Sequence, residues 1–157
     1  MGGISCGNSL EVDTYFQHPK RDFAQTGEAL RVRSKDGKII ICYKGSRQAG
    51  PAKVRKEIEL IVSGPEIEPL LLALGFTSFK TINKTRELWK LDLPQLTCQI
   101  CLDDADGLGH FVELEVMAPK EDIPRAQGFV LDLATTLGLG NREDRSYLRM
   151  HLEKSDH

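Results

Sequence analysis

Two acids, Glu113 and Glu115, alternate with apolar residues in the segment Phe111-Val112-Glu113-Leu114-Glu115-Val116. Residues two apart in a strand share a face, so both carboxylates lie on one side, where they repel unless something stands between them. The pattern recurs with the opposite sign. Arg31 and Arg33 share a strand face, as do Lys84 and Arg86, while Arg55 falls on a face with Glu57 and Glu59, and Lys44 points away from its neighbour Tyr43. Arginines fork onto phosphate oxygens and lysines add point charges. Paired carboxylates instead hold hard cations such as Mg2+ or Mn2+, which bridge to phosphate oxygens. Together these side-chain types have the chemistry needed to handle a polyphosphate.

The elements that must position them are mostly strands. Alternation predicts strands over 10–16, 28–34, 38–45, 54–62, 78–93, 96–103 and 110–116, with 78–93 either two strands or one strand bent at Ile82-Asn83. Lys35-Asp36-Gly37-Lys38 carries the Asp-Gly signal of a tight hairpin, and Asp106-Gly107-Leu108-Gly109 reads as a second turn. Helices are fewer. The segment 65–74 has proline near its start and Gly75 after its end. The segment 121–137 repeats Ile123, Ala126, Val130, Ala134 and Leu137 at helical spacing, and a last helix over 142–153 would bury Tyr147, Leu148 and Leu152.

Two arrangements account for charged residues on one face of five strands. They are the solvent faces of a half-exposed antiparallel sheet, with cross-strand ion pairs worth roughly 0.2–1 kcal/mol each. Alternatively, the sheet closes with its polar face inward and the apolar helical stripes covering it from outside. The like-charged neighbours and the three stripes that need a surface favour the second arrangement.

At 157 residues, 40% hydrophobic and 28% charged, the chain reads as one globular domain, 1–157. A net charge of −2 argues against a general nucleic-acid binder. No apolar run approaches the roughly 20 residues of a membrane span and residues 1–10 lack the features of a signal peptide, so a cytoplasmic protein with no membrane partner is expected. The four cysteines, Cys6, Cys42, Cys98 and Cys101, are too few for a disulfide scaffold. Cys98 and Cys101 form a CxxC, but on a strand residues three apart face opposite ways, which predicts small strand residues rather than a zinc half-site.

The segments DTYFQHPKRDFAQTGEALRVR (13–33), YKG (43–45), RKEIE (55–59) and LDDADGLGHFVELE (102–115), in that order, resemble the CYTH superfamily, and most of all its class IV adenylyl cyclases. Thiamine triphosphatases and inorganic triphosphatases belong to the same superfamily. The resemblance implies an α+β fold: an antiparallel β-barrel that forms a triphosphate tunnel, incomplete at the N-terminus, with helices packed outside. It implies that Arg31, Arg33, Lys44, Arg55, Lys84 and Arg86 bind the triphosphate, that Asp103, Glu113 and Glu115 hold Mg2+ or Mn2+, and that Glu57 and Glu59 support them. The implied reaction is that of a lyase, ATP to cyclic AMP and pyrophosphate; the alternatives are hydrolysis of thiamine triphosphate or inorganic triphosphate, or polyphosphate binding without turnover.

The family's N-terminal Glu-x-Glu-x-Lys strand is not found ahead of Asp13-Thr14-Tyr15-Phe16. Glu11 and Asp13 alternate, but their context matches the family's following strand, so they are not assigned the missing role. A chain shortened relative to its gene product is the favoured reading, against a degenerate binding member or a homodimer whose sheet edge a second copy completes. The chain alone is accordingly expected to be weakly active or inactive. His18 and His110 are expected to be structural, Asp22 to bond its own loop, Asp104 to serve a turn and Trp89 to lie in the core.

Overall fold

Each predicted strand forms in the computed structural model, which describes residues 2–94 and 96–155. In chain order the elements are β1 (Ile4–Gln17), α1 (Phe23–Thr26), β2 (Ala29–Lys35), β3 (Lys38–Lys44), β4 (Glu57–Val62), α2 (Ile67–Ala73), β5 (Thr77–Leu93), β6 (Leu96–Ala105), β7 (Gly109–Val116), α3 (Ile123–Thr136) and α4 (Tyr147–Ser155). The strands hydrogen-bond in the order β4-β3-β2-β1-β5-β6-β7. The order is linear, so among the described strands β4 and β7 each pair on one side only; the sheet is open, as a barrel lacking a strand would be.

The chain resolves into two compact units. The first comprises Leu10–Ala49 and Val54–Lys84, and the second residues 2–9, 50–53, 85–94 and 96–155. The long strands β1 and β5 contribute to both.

In the first unit the register pairs Asp13 with Arg33, Tyr15 with Arg31, Leu30 with Tyr43 and Tyr43 with Ile58. Alternation then sends Phe16, Leu30, Val32, Ile39, Ile41 and Tyr43 to one face, where they pack with Phe23, Ile67, Leu71 and Phe76. The opposite face receives the charges. Asp36 (φ 49°) and Gly37 (φ 72°) make the β2–β3 turn, where positive φ at both positions matches the strand twist. Helix α2 stops at Gly75 (φ 87°), whose N–H bonds Leu72 O while that of Phe76 bonds Leu71 O.

In the second unit β6 and β7 pair from Cys98↔Val116 to Ala105↔Gly109. Leu91, Cys98, Ile100, Leu114 and Val116 form its apolar face, which Phe129 and Leu133 of α3 cover. Cys98 lies in this layer and Cys101 on the opposite face; both are buried and reduced, as strand geometry requires.

Several boundaries move. Residues 77–93 make one strand, one of the two alternatives left open for that run. β4 begins at Glu57, which leaves Arg55 in the preceding loop beside the isolated Gln48↔Val54 bridge. The buried anchors of α3 are Ala126 and Leu133, whereas Leu137 caps the helix end and is exposed. Residues 142–146 are not helical: Arg142 pairs with Asp144 and Arg145 with Glu143, and α4 starts only at Tyr147 with Met150 as its buried residue. Trp89 is half-buried rather than core, because its indole N–H donates to Glu87 at 2.8 Å. The short helix α1 goes beyond the sequence reading.

Candidate functional site

The polar face of the first unit is a buried charge cluster. Glu11 and Asp13 of β1 are 0% and 3% exposed, and Arg31, Arg33 and Lys84 are buried with them. Arg33 donates from Nε and Nη2 to the two oxygens of Asp13 at 2.6 and 2.7 Å, and its Nη1 lies 2.7 Å from Glu11. Glu11 also meets Lys35 at 3.1 Å and Lys84 at 3.4 Å. Farther along, Lys44 meets Glu57 at 3.0 Å and Arg55 meets it at 3.5 Å.

Arg31 is held differently. Its nearest ionic neighbours are Asp13 at 3.6 Å and Glu59 at 3.9 Å, and its buried Nε has no hydrogen-bond partner. Burial disfavours its charge, yet Asp13 and the neighbouring Tyr15 and Cys42 keep it firmly protonated. Asp13 itself is pushed up by burial, but the Arg33 hydrogen bond and the charges of Arg31, Arg33 and Lys84 bring it below the ordinary carboxylate value. The described ion pairs of this face join the buried Arg31, Arg33 and Lys84 to the buried Glu11 and Asp13, with Lys35, Lys44, Arg55, Glu57 and Glu59 at its more exposed margin. Buried charges are stable only when paired or hydrogen-bonded.

The polar face of the second unit repeats the fork. Arg86 of β5 donates from Nε and Nη2 to both oxygens of Asp103 at 2.6 Å each, and Nη2 also meets Glu113. Tyr147, the first residue of α4, donates its hydroxyl to Asp103 Oδ2 at 2.8 Å and packs edge-on against Phe111. Burial, and then the charges of Glu113 and Asp103, hold this phenol well above its usual range. Cys101 lies in the same layer, and burial pushes its thiol up to about 12. Glu115 follows Glu113 on the same face of β7, opposite Gln99.

The structure thus groups Arg31, Arg33, Lys44, Arg55, Lys84, Glu57 and Glu59 in one unit, and Arg86, Asp103 and Glu113 in the other. The ion pairs and hydrogen bonds also bring in Glu11 and Asp13, which the sequence reading set aside, and Lys35 and Tyr147, which it did not single out for the site. The first three were readable as Glu11-x-Asp13 opposite Arg33-x-Lys35, had the β1–β2 register been known. His18 is structural: its Nδ1 accepts the N–H groups of Lys20 and Arg21 at 3.0 Å, and its ring packs on Phe23 and Phe76. Asp22 accepts the Ala24 N–H at 2.9 Å, and His110 is exposed.

The acids differ in their fit to a divalent cation. Among the described residues no three His, Cys, Asp or Glu side chains converge on one point. Glu113 and Glu115 are two carboxylates on one strand face, the number that Mg2+ commonly takes from protein while phosphate and water complete its shell. These two fit. Asp103, with Arg86 and Tyr147 already on its oxygens, does not fit as it is placed.

In each unit the strands bury an ion-pair network on one face, while α1 and α2 in the first and α3 in the second cover the apolar face, which defines an α+β charge-lined domain. Residues 7–147 match the family model described as CYTH domain, and the chain belongs to that family. Over 107 residues it is 38% identical to MJ0240 of Methanocaldococcus jannaschii, provisionally named an adenylate cyclase. That match covers 68% of this chain and only 59% of the relative. Among solved structures, the PH1819 protein from Pyrococcus horikoshii has a TM-score of 0.87 at 36% identity, over 96% of this chain and 88% of that one. HpAC1 from Hippeastrum, provisionally named an adenylyl cyclase and described as having a dominant triphosphatase activity, has a TM-score of 0.67 at 14% identity, over 96% and 84%. At that identity it shows the fold alone.

Proposed function

We propose that this chain is a metal-dependent triphosphate-binding domain of the class IV adenylyl cyclase type, the reaction being ATP to cyclic AMP and pyrophosphate with Mg2+ or Mn2+, and turnover by the chain alone being weak. The observation that carries the reading is Arg31, a buried guanidinium whose Nε has no hydrogen-bond partner and whose ion pairs, to Asp13 and Glu59, are 3.6 and 3.9 Å long. Such a group has a donor left to turn toward phosphate oxygens. The adenylate cyclase name of MJ0240 supports the choice of reaction.

Arg31, Lys44, Arg55, Lys84 and Arg86 would hold phosphates, while Arg33, with three nitrogens already on Asp13 and Glu11, would set the local field. Glu113 and Glu115 would hold the cation, which when bound neutralises charge on phosphate oxygens. In the reaction the ribose 3′-hydroxyl oxygen bonds to the α-phosphorus as its proton passes to solvent, and the bond to pyrophosphate breaks with its electrons leaving on pyrophosphate. Positioning and charge neutralisation supply most of the acceleration in such transfers.

A second reading is hydrolysis, in which water replaces the ribose hydroxyl and thiamine triphosphate or inorganic triphosphate is the substrate; HpAC1, which is similar in fold, is described as having a dominant triphosphatase activity. Incubating the purified protein with ATP and Mg2+ or Mn2+ tests the proposal. Cyclic AMP with pyrophosphate supports it, orthophosphate alone shifts it to the triphosphatase, and triphosphate binding without turnover reduces it to a binding module.

A further inference from the structure

A carboxylate has about four lone-pair positions, and Asp103 already accepts three short hydrogen bonds, two from Arg86 and one from Tyr147. Its side chain is fully buried. A divalent cation at Asp103 would have to reach the remaining position on a fully buried carboxylate or displace the guanidinium or the phenol, and in either case would sit beside the positive charge of Arg86. Glu113 meets Arg86 through Oε2 alone and is about a third exposed, and Glu115 is exposed, so a cation can approach both from solvent without entering a fully buried carboxylate.

We infer that Asp103 is a positioning residue for Arg86, fixed in turn by the Tyr147 hydroxyl, and is not a ligand of the divalent cation. This rests on the reading that Arg86 binds triphosphate. The fork occupies Nε and Nη2 of Arg86 and leaves Nη1 outside it. Tyr147 cannot turn away freely. Its ring packs on Phe111, and α4 is tied to the β6–β7 turn by Lys154, whose Nζ donates to Gly107 O at 2.6 Å. The same two-nitrogen fork joins Arg33 to Asp13 in the first unit, where the aspartate likewise serves to hold an arginine.

The full chain tests this with two probes, inorganic triphosphate in EDTA and Mg2+ with or without triphosphate. Tyr147→Phe should weaken metal-free triphosphate binding about tenfold, the loss typical of a hydrogen bond to a charged group. It should leave the Mg2+ half-saturation within about twofold. A purely structural tyrosine would leave the affinity of the folded variant unchanged. In the unaltered protein, Mg2+ should move the carboxyl-carbon NMR signals of Glu113 and Glu115 and leave that of Asp103 in place; this arm needs no variant to fold. Movement of the Asp103 signal, or a Tyr147→Phe protein with intact triphosphate affinity and a shifted Mg2+ requirement, overturns the inference while the proposed function stands. A protein that binds neither probe overturns both.

Discussion

Asp13 and Arg33, twenty residues apart in sequence, are locked together by two hydrogen bonds of 2.6 and 2.7 Å in the buried polar layer of the first unit. The pair is made by register, since β1 and β2 place the two residues directly opposite each other. Removing one partner strands the other without water. Asp13→Asn should therefore cost about 3–5 kcal/mol in urea unfolding, and a loss under 1 kcal/mol would show that the fork contributes little.

The same aspartate sets an acid limb. Its native pKa lies below the ordinary 3.8, burial being outweighed by the Arg33 hydrogen bond and by the charges of Arg31, Arg33 and Lys84. A depressed pKa contributes stability above the unfolded-state value and loses it as pH falls through the native one. The stability difference between the native sequence and Asp13→Asn should be constant from pH 7 to about 4 and shrink below that. Urea midpoints across that range measure it, and a difference that grows on acidification would reverse the assignment.

Arg31 and Arg33 should separate binding from stability. Arg31→Met loses ion pairs of 3.6 and 3.9 Å rather than a short fork and should cost clearly less stability than Arg33→Met, while weakening inorganic triphosphate binding tenfold or more by calorimetry. Arg33→Met, which strands Asp13 and Glu11, should cost about 3–5 kcal/mol. Equal losses of stability in the two variants would erase the distinction.

The α3 stripe gives a packing test. Leu133 is buried against Cys98 and Leu91, so Leu133→Ala should cost about 2–5 kcal/mol. Leu137→Ala, at the exposed helix end, should stay within about 0.5 kcal/mol.

Thiol chemistry gives a test of cysteine placement. Only Cys6 of the four is exposed, and burial raises the thiols of Cys42, Cys98 and Cys101. One equivalent of Ellman's reagent should react in the native state and four in denaturant. Fast reaction of a second thiol would place Cys98 or Cys101 elsewhere.

Strand positions were legible because burying one face of a strand forces alternation, and Leu30-x-Val32 against Arg31-x-Arg33 displays it in four residues. The hairpin at Asp36-Gly37 was legible because few sequences tolerate its positive φ angles. The division of labour between Arg31 and Arg33 was not. It depends on which residue of β1 lies opposite which residue of β2, and two arginines in one strand look alike until a carboxylate is placed beside one of them. Tyr147 hid for a related reason. Helical spacing marks it as apolar-face material, and only the tertiary placement of α4 brings its hydroxyl to Asp103. Residues 142–146 misled in the other direction, since their helix-forming side chains pair locally within a loop.

The edge strand β4 bears a further consequence. Ile58, Leu60 and Ile61 are 44%, 59% and 70% exposed on a strand paired only with β3 among the described strands. Such a strand is a template for chain-to-chain stacking, and the carboxylates of Glu57 and Glu59 act as gatekeepers against it. Glu59 is also the remote ionic neighbour of Arg31. Neutralising it would relieve Arg31 of a competitor for anions and strip the edge of a charge, so a Glu59→Gln protein can gain affinity while losing solubility. Its activity has meaning only when measured on the monodisperse fraction.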